Sequence, residues 1–479
     1  MTLRGHYVRK PVDILDRDQL DRIHQGILEV LEEVGVIFDL ENACKILEGM
    51  GCDVDYKSKQ VKFPSYLVEE ILRKAQPSFT VKARNHKYDL RVGGNYLYFH
   101  GWCTLATLDL ETRRQKTPTR QEYIEACRVL DALDEVHGVL PPYGSIDTKP
   151  EEGRKGVIMN EILIRNVQKV CWTTHGSTTN MKAIIEMAKA TDQQIILTLS
   201  GAPPLRYGEN AIKGILEFAK ADFPLCTLHG IIYGANSPTT LAGSLVLDNA
   251  LIIAGMALAQ AINPKVGFIP CTYAMAMDMR TGQLVQGSVE RGIYSMAFTQ
   301  MWRRYYNLPS ATIVGSDAKY PDYQCGWEKA LNTVVQALAG PNFILVHGGI
   351  YDELLWSPVV AVIDNEMLKF VARLLEGMRI DDETLAIDLI KEVGPVGQFL
   401  NKKHTKEWWR REHVLPNVSD RSSYAEWVEN GAKDIIERAK AKTREILEKH
   451  EVLPLTEEQE KKISEIVRKY HQIKSSTQL

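Results

Sequence analysis

KVCWTTHGSTTNMKAIIEMAKATDQQIILTLSG, residues 169–201, holds one turn of the pattern that decides the fold. KVCWTTHG (169–176) is a short apolar run closed by His-Gly, which reads as a buried strand. A longer helical run follows near 180–190, and QIILTLSG (194–201) is strand-like again. Working outward, the same alternation continues in both directions. Further strand candidates are VLPPYGSI (139–146), FPLCTLHG (223–230), KVGFIPCTY (265–273), PSATIVGSD (309–317) and NFILVHGG (342–349). Helical runs lie between them near 154–167, 209–220, 238–262, 287–306 and 322–339. Alternation of this kind implies a parallel sheet, and seven units in about 250 residues point to a TIM-like (β/α)8 barrel. VVAVID (359–364) is the candidate for the eighth strand, although only a short loop separates it from the seventh.

The flanks read differently. Leu20, Ile23, Ile27, Leu28, Leu31 and Val34 fall at helical spacing, and short alternating runs such as CDVDYKSKQVKF and FTVKARNHKYDLRVGG follow. They predict an N-terminal α+β extension over 1–116. Thr119 with Glu122 forms a capping box opening the first helix of the barrel segment, 117–379. Beyond 380 no strand pattern remains, and 380–479 reads as a C-terminal helical extension.

Composition excludes several function classes. The chain has 479 residues with 58 basic and 61 acidic side chains, a net charge of −3. That balance gives no reason to expect nucleic acid or an anionic membrane as partner. The longest apolar stretch, Leu241 to Ile262, is interrupted by Asp248, Asn249 and Gln260, so no membrane span is expected. The N-terminus has no apolar signal region. Eight cysteines are scattered with no CxxC pair, which suits a reduced, cytoplasmic protein. P-loop, GxSxG and GxGxxG motifs are missing.

Barrel enzymes work at the C-terminal ends of their strands. Four apolar runs here end in His-Gly: His100, His175, His229 and His347 each precede a glycine. Asp317 and Tyr273 stand at other strand ends. Alternation puts Leu345 with His347, Leu225 with His229, and Gly315 with Asp317 on shared faces. No metal site is expected. Cys226 and His229 face opposite sides, Cys171 and His175 lie about 13 Å apart along a strand, and HxH and HExxH are missing. Aromatic side chains crowd the same ends: Tyr98, Trp102, Tyr273, Tyr351 and Trp356. Ring faces at a barrel mouth hold a quaternary ammonium, a cation that donates no hydrogen bond.

Residues 315–352, GSDAKYPDYQCGWEKALNTVVQALAGPNFILVHGGIYD, resemble the trimethylamine–corrinoid methyltransferase family. So do YLYFHGWCTLATLDLETRRQKTPTRQEY (96–123), LSGAPPLRYGENAI (199–212) and WWRREHVLPNVSDR (408–421). The likeness runs from the N-terminal helix to about residue 450. It implies a TIM-barrel catalytic domain and a separate cognate corrinoid protein that carries the cobalamin-type cofactor and accepts the methyl group. The founding enzyme has pyrrolysine near the segment matching Leu345 to Ile350; here that stretch is LVHGGI. The likeness therefore implies the branch that demethylates quaternary amines, with glycine betaine preferred and proline betaine, carnitine or γ-butyrobetaine as alternatives. Under that reading His347 and Asp317 are the catalytic candidates. Tyr98, Trp102, His229, Tyr273, His347, Tyr351 and Trp356 line the substrate site, and Arg206 clamps its carboxylate. A homo-oligomer is expected. A zinc-dependent methyltransferase or hydrolase on the same barrel, or a non-catalytic betaine binder, are the competing readings.

Overall fold

Eight short apolar runs lie side by side in parallel in the computed structural model, which describes residues 5–102, 104–147, 155–174, 176–351 and 354–472. They are β1 (Tyr96–Gly101), β2 (Gly138–Val139), β3 (Val170–Thr174), β4 (Ile195–Leu199), β5 (Leu225–Thr227), β6 (Phe268–Ile269), β7 (Ala311–Ile313) and β8 (Phe343–His347). Each pairs with its neighbour in sequence order, and β8 returns to β1 through Phe343↔Tyr98 and Leu345↔His100. The seam between β6 and β7 is closed by one bridge, Cys271↔Ala311. The helices that follow the strands are α1 (Arg120–Ala132), α2 (Lys155–Asn166), α3 (Thr178–Ala190), α4 (Glu209–Lys220), α5 (Leu241–Ile262), α6 (Val289–Gln300), α7 (Tyr323–Ala339) and α8 (Pro358–Glu376). This is the expected (β/α)8 barrel with added segments at both ends. The capping box of α1 is formed, with Thr119 accepting from the Glu122 backbone N–H and the Glu122 side chain returning to Thr119.

One strand is not where the sequence pattern put it. VVAVID lies in α8, whose start is fixed by Ser357 accepting from the Val359 N–H and by Pro358 in the first turn. The missing strand is β1, which precedes residue 117. The barrel thus begins inside the stretch assigned to the extension, and His100 sits on a barrel strand.

Alternate residues fill the interior: Tyr98, Trp172, Ile196, Cys226, Ile313 and Leu345 belong to one buried cluster. The opposite parity, including Val139, Cys171, Leu197 and Leu225, packs beneath the helices. A hairpin, Ser78–Val81 with Leu90–Gly93, closes the base of the barrel. Its Val81, Leu90 and Val92 join the interior cluster, and the Tyr98 hydroxyl donates to Arg91 O at 3.1 Å. The hairpin thus leaves the C-terminal ends of the strands as the end of the barrel that it does not cover.

Helix α5 is apolar on every side, so it must be covered on every side. It is long and apolar enough to cross a membrane, but 78% of its most apolar window is buried within the chain. The N-terminal helices Arg17–Glu29, Glu41–Glu48 and Ser65–Lys74 pack on it. At the other end of the chain, helix Ile435–Lys449 packs on α8, and Glu457–Gln472 on α3. The segment 377–417 between them buries only Trp408 and leaves Met378, Ile380, Val396 and Leu400 exposed.

Candidate active site at the barrel mouth

Four strand ends meet around one aromatic pair. Trp102 follows β1 directly and is 4% exposed. Its ring lies 5.4 Å from that of Tyr273, just past β6. The Tyr273 hydroxyl accepts from Gln286 Nε2 at 2.9 Å. Gln286 belongs to the loop entering α6, and that loop hangs on Asp317 beyond β7. The two carboxylate oxygens of Asp317 accept the backbone N–H groups of Gln286 (2.6 Å) and Gly287 (3.1 Å). Asp317 thus shapes the mouth, with its acceptors largely spent on backbone. His347 ends β8, pairs with Gly101 beside Trp102 across a register shift, and is fully buried.

The imidazoles are held in one tautomer. His347 Nδ1–H donates to His100 O at 3.3 Å, and His100 Nδ1–H donates to Gly101 O at 2.6 Å. In both rings Nε2 is left without a partner. Burial pulls both below the usual histidine range, His100 to about 3 and His347 well below its ordinary value. Both are therefore neutral at physiological pH and place no positive charge where a cation would sit.

Other expected residues lie elsewhere. His229 is fully buried in the wall, its Nδ1 3.2 Å from Asp248 of α5 and its Nε2 3.1 Å from the Tyr207 hydroxyl. Cys226 faces the interior, so its strand sends His229 outward. Tyr98 is at the closed base. Trp356 lies under the mouth, packed on Tyr143 with ring centroids 5.4 Å apart. Tyr351 is half-buried with Lys319 4.8 Å over its ring. Arg206 is exposed and binds Asp39 through Nε (3.0 Å) and Nη2 (2.8 Å), tying the N-terminal extension to the barrel. His175 lies outside the described residues. Among the described residues one trio of metal-type ligands converges, His6, Glu135 and His137. It sits at the base, and His137 Nδ1 accepts the Phe99 N–H at 3.1 Å. That bond puts the proton of the neutral ring on Nε2, leaving no free lone pair to coordinate.

The model of the family described as "Trimethylamine methyltransferase (MTTB)" matches residues 4–473. The chain belongs to the trimethylamine methyltransferase family. Among its relatives, trimethylamine methyltransferase MttB of Desulfitobacterium hafniense strain DCB-2 is 31% identical over 452 residues, covering 92% of this chain and 90% of the relative. The glycine betaine methyltransferase of strain Y51 is 30% identical over 453 residues, covering 91% and 92%. The monomethylamine methyltransferase of Methanosarcina barkeri shares the fold, with a TM-score of 0.55 at 10% identity over 97% of this chain and 89% of that one.

In this member of the trimethylamine methyltransferase family, the turn after His347 is clamped from behind. Lys329 Nζ donates to Gly349 O (2.8 Å) and Asp364 Oδ2 (2.7 Å), and Asp364 Oδ2 also accepts the Gly348 N–H (2.7 Å). Both side chains are buried, at 2% and 5% exposure. Trp356 Nε1 donates to His347 O at 3.0 Å. Gly348 has φ +86°, and a Cβ there would stand 2.1 Å from Trp356 Nε1, so only glycine fits. The His-Gly at 100–101 was the sequence signal for His100, although its run lay in the stretch assigned to the extension; no motif pointed to Gln286, Lys329 or Asp364.

Proposed function

We propose that this methyltransferase takes a methyl group from a quaternary amine, with glycine betaine preferred and dimethylglycine as product, and passes it to the reduced corrinoid of a partner protein. The carrying observation is the Trp102–Tyr273 ring pair at the open end of the barrel, beside a His347 kept neutral by burial. Ring faces attract a quaternary ammonium by about 0.5–2 kcal/mol each, and no imidazolium repels it. The relative named glycine betaine methyltransferase supports the choice of substrate.

The chemistry asks little proton transfer of this chain. A methyl leaves nitrogen when the nitrogen departs as a neutral amine, and a quaternary nitrogen meets that condition without a proton. The corrinoid supplies the cobalt nucleophile when its carrier is docked. With the base plugged by the hairpin, that carrier would approach at the mouth. Trp102 and Tyr273 would hold the cation, and His347 would fix its position at the end of β8. Asp317 would hold the loop carrying Gln286. These residues orient the N–CH3 bond and keep water away from it. We place the enzyme in the cytoplasm and as an assembly of identical copies. The exposed apolar residues of 377–417 support the latter.

The test mixes the purified protein with reduced cobalamin and one amine at a time, following corrinoid absorbance and release of the demethylated amine. Dimethylglycine from glycine betaine, with no product from trimethylamine, is the expected result. No product from any quaternary amine, with a corrinoid protein also present, rejects the proposal.

A further inference from the structure

Arg206 is spent on Asp39 at the surface, yet the mouth holds another cation that nothing has claimed. Arg291, in the first turn of α6, is 1% exposed. Its guanidinium carbon lies 5.6 Å from the Tyr273 ring centroid. Nη1 donates to Gln286 O at 3.3 Å, and Nη2 has no partner. No ion pair among the described residues includes it. The carboxylates on neighbouring elements are committed elsewhere. Asp317 holds the Gln286 and Gly287 N–H groups. Asp248 is engaged by His229, Thr272 and Tyr294. Glu328 accepts from the Ser316 hydroxyl (2.6 Å) and the Asp317 N–H (2.8 Å). Glu290 points to solvent.

A buried charge without a counter-ion is strongly unfavourable, and a guanidinium cannot escape by losing its proton. Arg84 and Arg303 are buried without an ion pair too, but each gives two donors to backbone carbonyls; Arg291 gives one, and it stands beside the Trp102–Tyr273 pair. A second donor is close: Tyr233, 5% exposed, lies within the field of Arg291 and its hydroxyl has no partner.

We propose that Arg291 is the carboxylate-binding residue of this site. The Trp102–Tyr273 rings take the trimethylammonium, and the guanidinium behind Tyr273 takes the carboxylate. The site thereby selects zwitterionic betaines over cations without an acid group, such as tetramethylammonium or choline. This rests on the reading that the mouth binds quaternary amines. It adds the residue that decides which of them enter.

The experiment is equilibrium binding by calorimetry on the full-length protein, with glycine betaine and with tetramethylammonium. Wild type should bind glycine betaine the more tightly. Arg291→Met should weaken glycine betaine by about 100-fold, as expected when a buried charge pair loses one partner, and leave tetramethylammonium nearly unchanged. Arg291→Lys retains the charge without the planar fork and should fall between. It also serves as the working variant if Arg291→Met does not fold. The proposal is overturned if wild type binds the two cations equally, or if the Arg291 variants bind glycine betaine as wild type does. Methyl transfer is scored separately. Betaine binding that needs Arg291 without any transfer sinks the reaction and keeps the site. Transfer from glycine betaine that ignores Arg291 does the reverse.

Discussion

Lys169 at the base of the barrel and Arg291 at its mouth are both cations with almost no exposed surface, and the fold treats them oppositely. Lys169 Nζ donates to Leu133 O at 2.7 Å, and burial draws its ammonium down to about 8. Around it the other charged groups are largely spent. Arg84 holds Val167 O (3.1 Å) and Leu453 O (2.6 Å), and His6 holds Glu135 at 2.7 Å. At the mouth, Arg291 Nη2 and the Nε2 atoms of His100 and His347 end on nothing. The base spends most of its charged groups within the chain, Arg84 Nη2 being left over, as a region serving stability does. The mouth leaves donors and acceptors open at a cost to stability, as a region meant for a ligand does.

The contrast is sharpened most by a closed pair behind the mouth, Lys329 with Asp364. Lys329→Met strands Asp364 in the interior and should lower unfolding free energy by about 3–5 kcal/mol. The double variant Lys329→Met/Asp364→Leu should recover most of it. Urea titrations of the three proteins decide this, and a single variant as stable as wild type would mean that the pair carries no such burden.

An effect of comparable size comes from protons. The folded values of His100 (about 3) and His137 (about 4) lie below the ordinary 6.5, and that of His347 lies well below it. The unfolded chain takes up these protons first as pH falls. Stability is therefore full above about pH 6.5 and declines toward the folded values, by about 1.4 kcal/mol per pH unit for each ring. Melting temperature against pH should show the decline. His100→Gln should make it shallower by one ring's share, and an unchanged slope would contradict the burial of His100.

The smallest effect is expected at Arg206, whose ion pair is exposed and contributes little. Arg206→Ala should leave both stability and glycine betaine binding close to wild type. A large loss of affinity would return the carboxylate to Arg206 and break the case for Arg291.

The barrel was legible because strands and helices alternate with clear changes of period over 139–349. β1 was missed because its run follows two hairpin-like stretches with no helix between them. VVAVID was misread because β-branched residues suit a strand, while the stop-and-start signal of Ser357 and Pro358 just ahead of it was given no weight. That Trp102, Tyr273 and Asp317 lie near one another was legible because they sit at strand ends. His229 was not resolved, since alternation tells which residues share a face and not which face looks inward. The parity of Cys226 settles it only in three dimensions. Arg291 stands in a plain helix start, GSVERGIYS, with no pattern around it. Its significance is an unpaired charge, and pairing is invisible in one dimension.

The cover over α5 has a consequence for how the chain is made. A ribosome delivers residues 17–74 well before 241–262, so the three segments that will hide this apolar rod are already made when it emerges. In a reversed gene order the rod would appear bare, with the length and greasiness of a segment that cells route into membranes. The order of the chain spares it that sorting error: the sheath is synthesised first and the blade second.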